Sequence, residues 1–213
     1  MLVSATGFEI SALLKKMHKV SVKGTLSCYR SGKNSVYVLI TGVGMTATAF
    51  QLGRSLHKRY DLAINAGVAG SFKRNIPPGT VVNVVSDRFA DLGAEDGENF
   101  LTLKEMGLSE VRSLKCEVRG FKSLSVLRKV KGITVNTVHG NNLSIKKIVK
   151  KFNPDVESME GAGFFFACNN EKIPCVQIRA VSNYIERRNK KNWKLKLAIT
   201  NLNAFLEQLL DTI

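Results

Sequence analysis

The chain has 213 residues, 44% of them hydrophobic and 23% charged, which reads as one domain over residues 1–213 whose core needs no disulfide or metal staple. No apolar run reaches the roughly 18–20 residues of a membrane-spanning helix, and the first ten residues carry no basic stretch ahead of an apolar one; the expectation is a cytoplasmic protein with no membrane partner and no secretory signal. The net charge of +15 rests on dispersed lysines (Lys15-Lys16, Lys146-Lys147, Lys150-Lys151, Lys190-Lys191) with no aromatic residues alternating among them, so they read as solvated surface rather than a nucleic-acid platform.

Strand-like and helix-like segments alternate along the chain. Leu2–Ala5 reads as a short buried strand and Glu9–Met17 as a helix. Ser35–Thr41 is a β-branched strand ended by Gly42-Val-Gly44, and a helix is expected from about Thr46 to Arg59. Leu62–Ala66 is the next short apolar run, and Gly67-Val-Ala-Gly70 follows it. Pro77-Pro-Gly turns the chain into a strand at Thr80–Val85. Residues 87–110 read as loop and hold an acidic cluster of Asp91, Glu95, Asp96 and Glu98. Then come a strand at Ile133–Val138, a helix at Ser144–Lys151 with Ser144 as its N-cap, a helix at Gly161–Asn170, a strand at Val176–Val181 and a closing helix at Trp193–Leu210. Such alternation predicts an α/β fold with a central sheet and helices on its faces, where chemistry gathers at the carboxyl ends of strands.

The cysteines Cys28, Cys116, Cys168 and Cys175 form no CxxC pair, and His18, His57 and His139 do not join them at zinc-ligand spacing. Reduced thiols, two of them in the core, and no metal are expected.

Four segments carry polar or glycine-rich chemistry. Gly42-Val-Gly44 lacks the third glycine of a dinucleotide fingerprint and reads as a tight strand-to-helix turn. Asn65-Ala-Gly-Val-Ala-Gly70 either lets backbone amides approach a ligand or marks a crowded strand crossing. Val156-Glu157-Ser158-Met159-Glu160-Gly161 places two carboxylates just before a small-residue helix. A carboxylate there can accept two charge-assisted hydrogen bonds from a ribose diol, the role expected of Glu160, whereas Glu157 reads as a charge favouring the helix N-terminus. Arg179-Ala-Val-Ser182-Asn183 ends an apolar strand with polar groups, and Asn183 can both donate to and accept from a base edge, or simply form a turn.

Taken together, NAGVAG at 65–70, VESMEG at 156–161 and RAVSN at 179–183 resemble the nucleoside phosphorylase and methylthioadenosine nucleosidase superfamily, in order, spacing and chain length. The resemblance covers nearly the whole chain and implies a three-layer α/β/α sandwich with a mixed central sheet, of the purine nucleoside phosphorylase type. Within the superfamily, the stretches Val85–Glu98 and Ile178–Asn189 are similar to those of the futalosine hydrolase family, which removes hypoxanthine from futalosine on a route to menaquinone.

What the resemblance implies can be assigned residue by residue. Glu9 falls where the hydrolases place the carboxylate that activates water, and Ser4–Glu9 lacks the arginine-bearing phosphate segment of the phosphorylases. Met159 and Glu160 match the ribose-binding pair, Val68, Ala69 and Gly70 line the ribose and water side, and Ser182 and Trp193 belong to the substrate-binding set, Trp193 over the base. Asn183 stands where adenosine-cleaving nucleosidases carry Asp, which points to a 6-oxopurine. The family also implies a homo-oligomer, a small-molecule purine nucleoside as partner, and no metal or organic cofactor. Two rival enzymes remain, a phosphate-dependent purine nucleoside phosphorylase and a methylthioadenosine/S-adenosylhomocysteine nucleosidase; outside enzymes stands a basic nucleic-acid-binding relative. Arg88, Arg187 and Arg188 are equal candidates for reading the 5′ side of the nucleoside.

Overall fold

The structure, a computed structural model, describes residues 1–56, 60–108, 114–115, 118 and 122–213. His57, Cys116 and the expected end of the second helix at Arg59 lie outside the described residues, as do positions 109–110 of the expected loop.

In chain order the elements are β1 (Leu2–Ser4), α1 (Ser11–Lys16), β2 (His18–Lys23), β3 (Leu26–Ser31), β4 (Asn34–Ile40), α2 (Met45–Ser55), β5 (Ala63–Ser71), β6 (Val81–Ser86), β7 (Gly93–Asp96), β8 (Asn99–Thr102), α3 (Lys122–Ser125), β9 (Arg128–Thr134), α4 (Asn142–Phe152), β10 (Val156–Ser158), α5 (Gly161–Asn170), β11 (Cys175–Tyr184) and α6 (Leu195–Leu210). Nine strands form one mixed sheet in the order β10-β9-β6-β11-β5-β1-β4-β3-β2, and β10 also pairs with β5. That extra pairing closes β5, β11, β6, β9 and β10 into a ring.

The alternation of β5 explains the layers. Ile64 and Ala66 point into a cluster with Ile178, Ala180, Leu13 and the α6 residues Leu202 and Leu206. Ala63 joins Val3, Leu39, Cys175, Leu52 of α2 and Phe164 and Phe165 of α5 on the other side. Two apolar faces, each needing cover, give an α/β/α sandwich.

Several boundaries differ from the sequence reading. The strand read at Leu62–Ala66 runs on through Gly67–Gly70 to Ser71, paired with β11 along its whole length. Residues 18–31 form a hairpin, and the segment expected to be loop at 87–110 contains the β7–β8 hairpin. The three hairpin turns (Gly24-Thr25, Gly32-Lys33 and Gly97-Glu98) each begin with a glycine at positive φ, the conformation a two-residue turn between twisted strands requires. The strand expected at Ile133–Val138 is instead Arg128–Thr134, because only one face of its charged first half is buried. Asn141, not Ser144, caps α4: its side-chain oxygen accepts from the Leu143 and Ser144 amides. Trp193 lies before α6, closing a short turn at Lys190–Asn192. Cys168 and Cys175 are buried and Cys28 is half-buried. The lysines of α4 are exposed around buried Ile148, as expected of a solvated face. Among the described residues no helix is long and apolar enough to cross a membrane.

One buried polar residue fixes the approach of the first loop. Asn203 of α6 accepts from the Leu13 amide at 2.8 Å and donates to the Glu9 carbonyl at 2.8 Å. Replacing it by alanine leaves both backbone groups buried and unpaired, so Asn203→Ala is expected to cost about 2–4 kcal/mol in urea denaturation. A loss below that range would show that the loop is held mainly by its apolar contacts.

Candidate active site

β5 is central, and its two edges are used differently. One edge pairs with β11 from Ala63 to Ser71. The other is shared: β1 pairs at Ile64 and Asn65, and β10 pairs at Gly70 and Ser71. β1 ends at Ser4, so the stretch between these two partners has a strand on only one side. Buried amides do not stay unpaired. The Val68 amide donates to Glu9 Oε1 at 3.0 Å. The other carboxylate oxygen accepts from the Thr6 amide and hydroxyl, both at 3.0 Å, and from Ser4 Oγ at 3.2 Å. Glu9 thus plugs the gap with a fixed carboxylate.

Arg179 is the lateral neighbour of Gly67 on β11. Its side chain folds back across that glycine: a Cβ on Gly67 would stand 2.3 Å from Arg179 Nη1 and 2.9 Å from Glu9 Oε1. Only glycine leaves room there for the guanidinium and the carboxylate to flank the backbone. Arg179 is 1% exposed, and its charge is answered from several directions. Nε donates to Gln177 Oε1 at 3.0 Å, Nη2 donates to Asn65 Oδ1, and Nη1 lies 3.5 Å from Glu160 Oε2. Glu160 occupies the N-cap position of α5, and its Oε1 accepts from the Gly44 amide at the start of α2 at 3.1 Å. Gly42-Val-Gly44 is therefore the expected strand-to-helix turn, and its last amide also serves the site.

Glu9, Arg179 and Glu160 converge in this way around Gly67, with Val68 and Ala69 beside them. Arg179 was not singled out from the sequence. An arginine inside an otherwise apolar strand run, two residues past Gln177, was the available signal. Met159 is half-buried beside Glu160.

A second group lies a short step further along β5. Glu157 and Asn183 are both lateral neighbours of Gly70, one on β10 and one on β11, where a bulge after Val181 brings Asn183 level with the glycine. Ser182 Oγ donates to Asn183 Oδ1 at 2.7 Å, and Asn183 Nδ2 donates to the Tyr184 carbonyl at 2.9 Å. That leaves one N–H and one lone pair of the amide for a ligand. Gly70, Asn183, Glu157, His139 and Trp193 line one cleft. Arg188 sits over the Trp193 ring at 5.2 Å. Glu157 does not serve a helix N-terminus: it lies within β10, accepts from the His139 amide at 2.9 Å and pairs with the His139 ring. Of the three arginines considered for the 5′ side, Arg187 and Arg188 line this cleft, while Arg88 bonds through its backbone to the Asp87 carboxylate.

Behind Arg179 lies a buried acid. Asp87 Oδ2 accepts from Gln177 Nε2 at 3.0 Å, and its Oδ1 accepts from Thr134 Oγ1 at 2.9 Å. Burial pushes the Asp87 carboxyl up to about 6, against the hydrogen bonds from Gln177 and Thr134, the Arg179 charge and the Arg88 amide, which all pull it down. Among the described residues no group of three or more His, Cys, Asp or Glu side chains is placed to hold a metal ion.

The family model of the Phosphorylase superfamily matches residues 1–211. The chain belongs to the phosphorylase superfamily. The Streptomyces coelicolor protein named futalosine hydrolase is 31% identical over 147 residues, 67% of this chain and 62% of that protein, so the chain spans under two thirds of that relative's length. The Thermus thermophilus futalosine hydrolase is 28% identical over 186 residues, 84% of this chain and 82% of its own. The native structure of futalosine hydrolase from Helicobacter pylori superposes with a TM-score of 0.81 over 100% of this chain and 97% of that one, at 14% identity, a likeness of fold.

The Asp87 carboxyl gives a pH test. Its folded value of about 6 lies above the ordinary aspartate value of 3.8. Its contribution to folding is therefore full below about pH 4 and is lost as the pH rises through about 6. Asp87→Asn removes that titration, so the wild-type Tm minus the variant Tm should fall between about pH 4 and 6 and level off above about 7. A flat difference across that range would contradict the raised value.

Proposed function

We propose that this protein hydrolyses the N-ribosyl bond of futalosine, a purine nucleoside, releasing hypoxanthine on the route to menaquinone. The observation that carries the reading is the Glu9–Arg179–Glu160 convergence around Gly67, beside an amide at Asn183 rather than a carboxylate. The two relatives named futalosine hydrolase support the substrate. The protein works in the cytoplasm as a homo-oligomer on a small-molecule substrate, without cofactor and without nucleic acid as partner.

The chemistry follows from charge. Breaking the C1′–N9 bond leaves positive charge on the ribose and an electron pair on the purine. Glu160, with Met159 beside it, holds the ribose hydroxyls with a charge that also favours the developing cation. Glu9 Oε1 faces the Arg179 guanidinium, and a water held between the two is aligned for attack at C1′. The carboxylate then takes the water's proton, a contribution worth about a hundred- to ten-thousand-fold. Val68, Ala69 and Gly70 form the wall along which ribose and water lie. A phosphate nucleophile would bring negative charge to two buried carboxylates, which the single guanidinium already serves.

Asn183 selects the base. Its free N–H meets O6 or N7 of a 6-oxopurine, while Ser182 holds the amide oxygen. An aspartate there would turn a carboxylate oxygen toward the Tyr184 carbonyl unless protonated, so the local backbone itself calls for a donor. Trp193 closes the base side of the cleft.

Two measurements test this reading. The purified protein should release hypoxanthine from futalosine in phosphate-free buffer; release that appears only with phosphate or arsenate would make it a phosphorylase. Gly67→Ala should lower kcat about a hundredfold, because its methyl displaces the guanidinium by about an ångström. Turnover unchanged in that variant would mean that the placing of the Arg179 guanidinium across Gly67 does not matter to catalysis.

A further inference from the structure

Asn183 leaves a chemical question open. An amide can hold a departing purine by hydrogen bonds, but it has no acidic proton to give, and Asn183 already spends one N–H on the Tyr184 carbonyl. An electron pair left on the purine must be met by a proton. Among the described residues lining the cleft, His139 is placed to supply it.

His139 lines the same cleft as Asn183 and Gly70. Its position is over-determined. Glu157 Oε1 accepts from the His139 backbone amide, and Oε2 pairs with Nδ1 of the ring. Phe72 packs against the ring at 6.5 Å, tilted by 61°. The Glu157 side chain is 0% exposed and the His139 side chain 14% exposed. The buried Glu157 carboxylate is thus met on both oxygens by His139, one by its backbone amide and one by its ring. With Nδ1 given to Glu157, Nε2 is the ring nitrogen left for a ligand. The strand register places this pair opposite Asn183: Glu157 and Asn183 flank Gly70 from its two neighbouring strands. Gly70 is two residues from Val68, whose amide holds Glu9. One strand repeat, about 6.6–6.8 Å, thus separates the water side from the base side. The charged and titratable groups lining the cleft with His139 are Glu157 from β10, Tyr184 at the end of β11, and Glu186, Arg187 and Arg188 from the segment after it.

We propose that His139, positioned by Glu157, is the catalytic acid that protonates the leaving purine. The proposal rests on the nucleosidase reading above. The C1′–N9 pair moves onto the purine as the bond breaks, the Nε2 proton of His139 moves onto the purine, and neutral hypoxanthine departs. Water adds to C1′ and passes its proton to Glu9. Glu9 then loses that proton to solvent and His139 regains one through its exposed edge, so the sum is nucleoside plus water giving hypoxanthine plus the free sugar.

The test compares leaving groups. His139→Gln keeps a hydrogen-bonding side chain but cannot donate an acidic proton, and hypoxanthine release from futalosine should fall about a hundredfold or more with KM little changed. Release of nitrophenolate from 4-nitrophenyl β-D-ribofuranoside, which leaves without a proton, should be nearly unaffected in the same variant. In His139→Gly, imidazole added to the buffer should restore hypoxanthine release; this arm stands by itself should the nitrophenyl riboside not be a substrate. Hypoxanthine release by His139→Gln within about threefold of the wild type, well short of what general acid catalysis contributes, overturns the proposal. Equal loss on both substrates, or a loss that imidazole leaves untouched, overturns it as well. A wild-type protein that releases no hypoxanthine from futalosine sinks the underlying reading and this one with it, whereas a wild type that does so beside a fully active His139→Gln sinks this one only.

Discussion

The organisation of the site depends on a missing strand. β1 stops at Ser4 and β10 begins its pairing only at Gly70, so the middle of β5 has an open edge in the heart of the molecule. Sheet hydrogen bonds cannot be left unmade where water does not reach, and a side chain has to stand in for the absent backbone. Glu9 does so by accepting from Val68. The stand-in brings with it a negative charge that a strand would never have supplied. Catalytic potential here follows from the way the sheet is closed.

That charge then dictates its surroundings. Four ionised or ionisable side chains (Glu9, Asp87, Glu160 and Arg179) are buried within one network, with a single guanidinium among three carboxyls. One cation cannot satisfy three anions at low dielectric, and the burden falls unequally. Glu9 has four hydrogen-bond donors and Glu160 has a helix-terminal amide and the guanidinium. Asp87 reaches Arg179 only through Gln177, and it is the carboxyl that burial pushes upward. Gln177 also has its amide orientation set from both ends, since Arg179 needs the oxygen and Asp87 needs the nitrogen. Gly161 belongs to the same arrangement, as a Cβ there would stand 2.2 Å from both Asp87 and Gln177.

The fold was legible in the sequence where burial imposes a simple pattern. Gly161–Asn170 is bounded as read, because its small residues, phenylalanines and lack of breakers leave no other choice. The strand's end was read too early, at Ala66, for an equally physical reason, although a crowded crossing at Gly67–Gly70 was one of the two readings left open. Glycines usually end a strand, but here they are its interior, cleared so that Arg179 and Ile185 can cross the backbone. The hairpins at 18–31 and 93–102 were missed although Gly24 and Gly97 announce them, since β2 is exposed along its length and β7 nearly so, and neither strand is marked by a buried apolar face. Glu9, Glu160 and Asn183 came from family motifs, and the geometry shows what they touch. Arg179 and His139 stayed hidden because a buried arginine and a loop histidine are defined by partners more than a hundred and about twenty residues away, respectively.

The ring of strands has a bearing on how the chain comes to be folded. β5 meets its lateral partner β11 only across a separation running from Ala63 to Cys175 and from Ser71 to Tyr184. Such pairings close very long loops, and chains dominated by them fold slowly. During synthesis the amino-terminal half emerges with the unprotected edge of β5 already made, rich in Ala and Gly and carrying no charge along Ala63–Ser71. An uncharged, unaccompanied strand of that kind is a template for pairing with neighbouring chains. The protein's exposure to aggregation is therefore concentrated in the interval before β11 leaves the ribosome, and ends when that one strand docks.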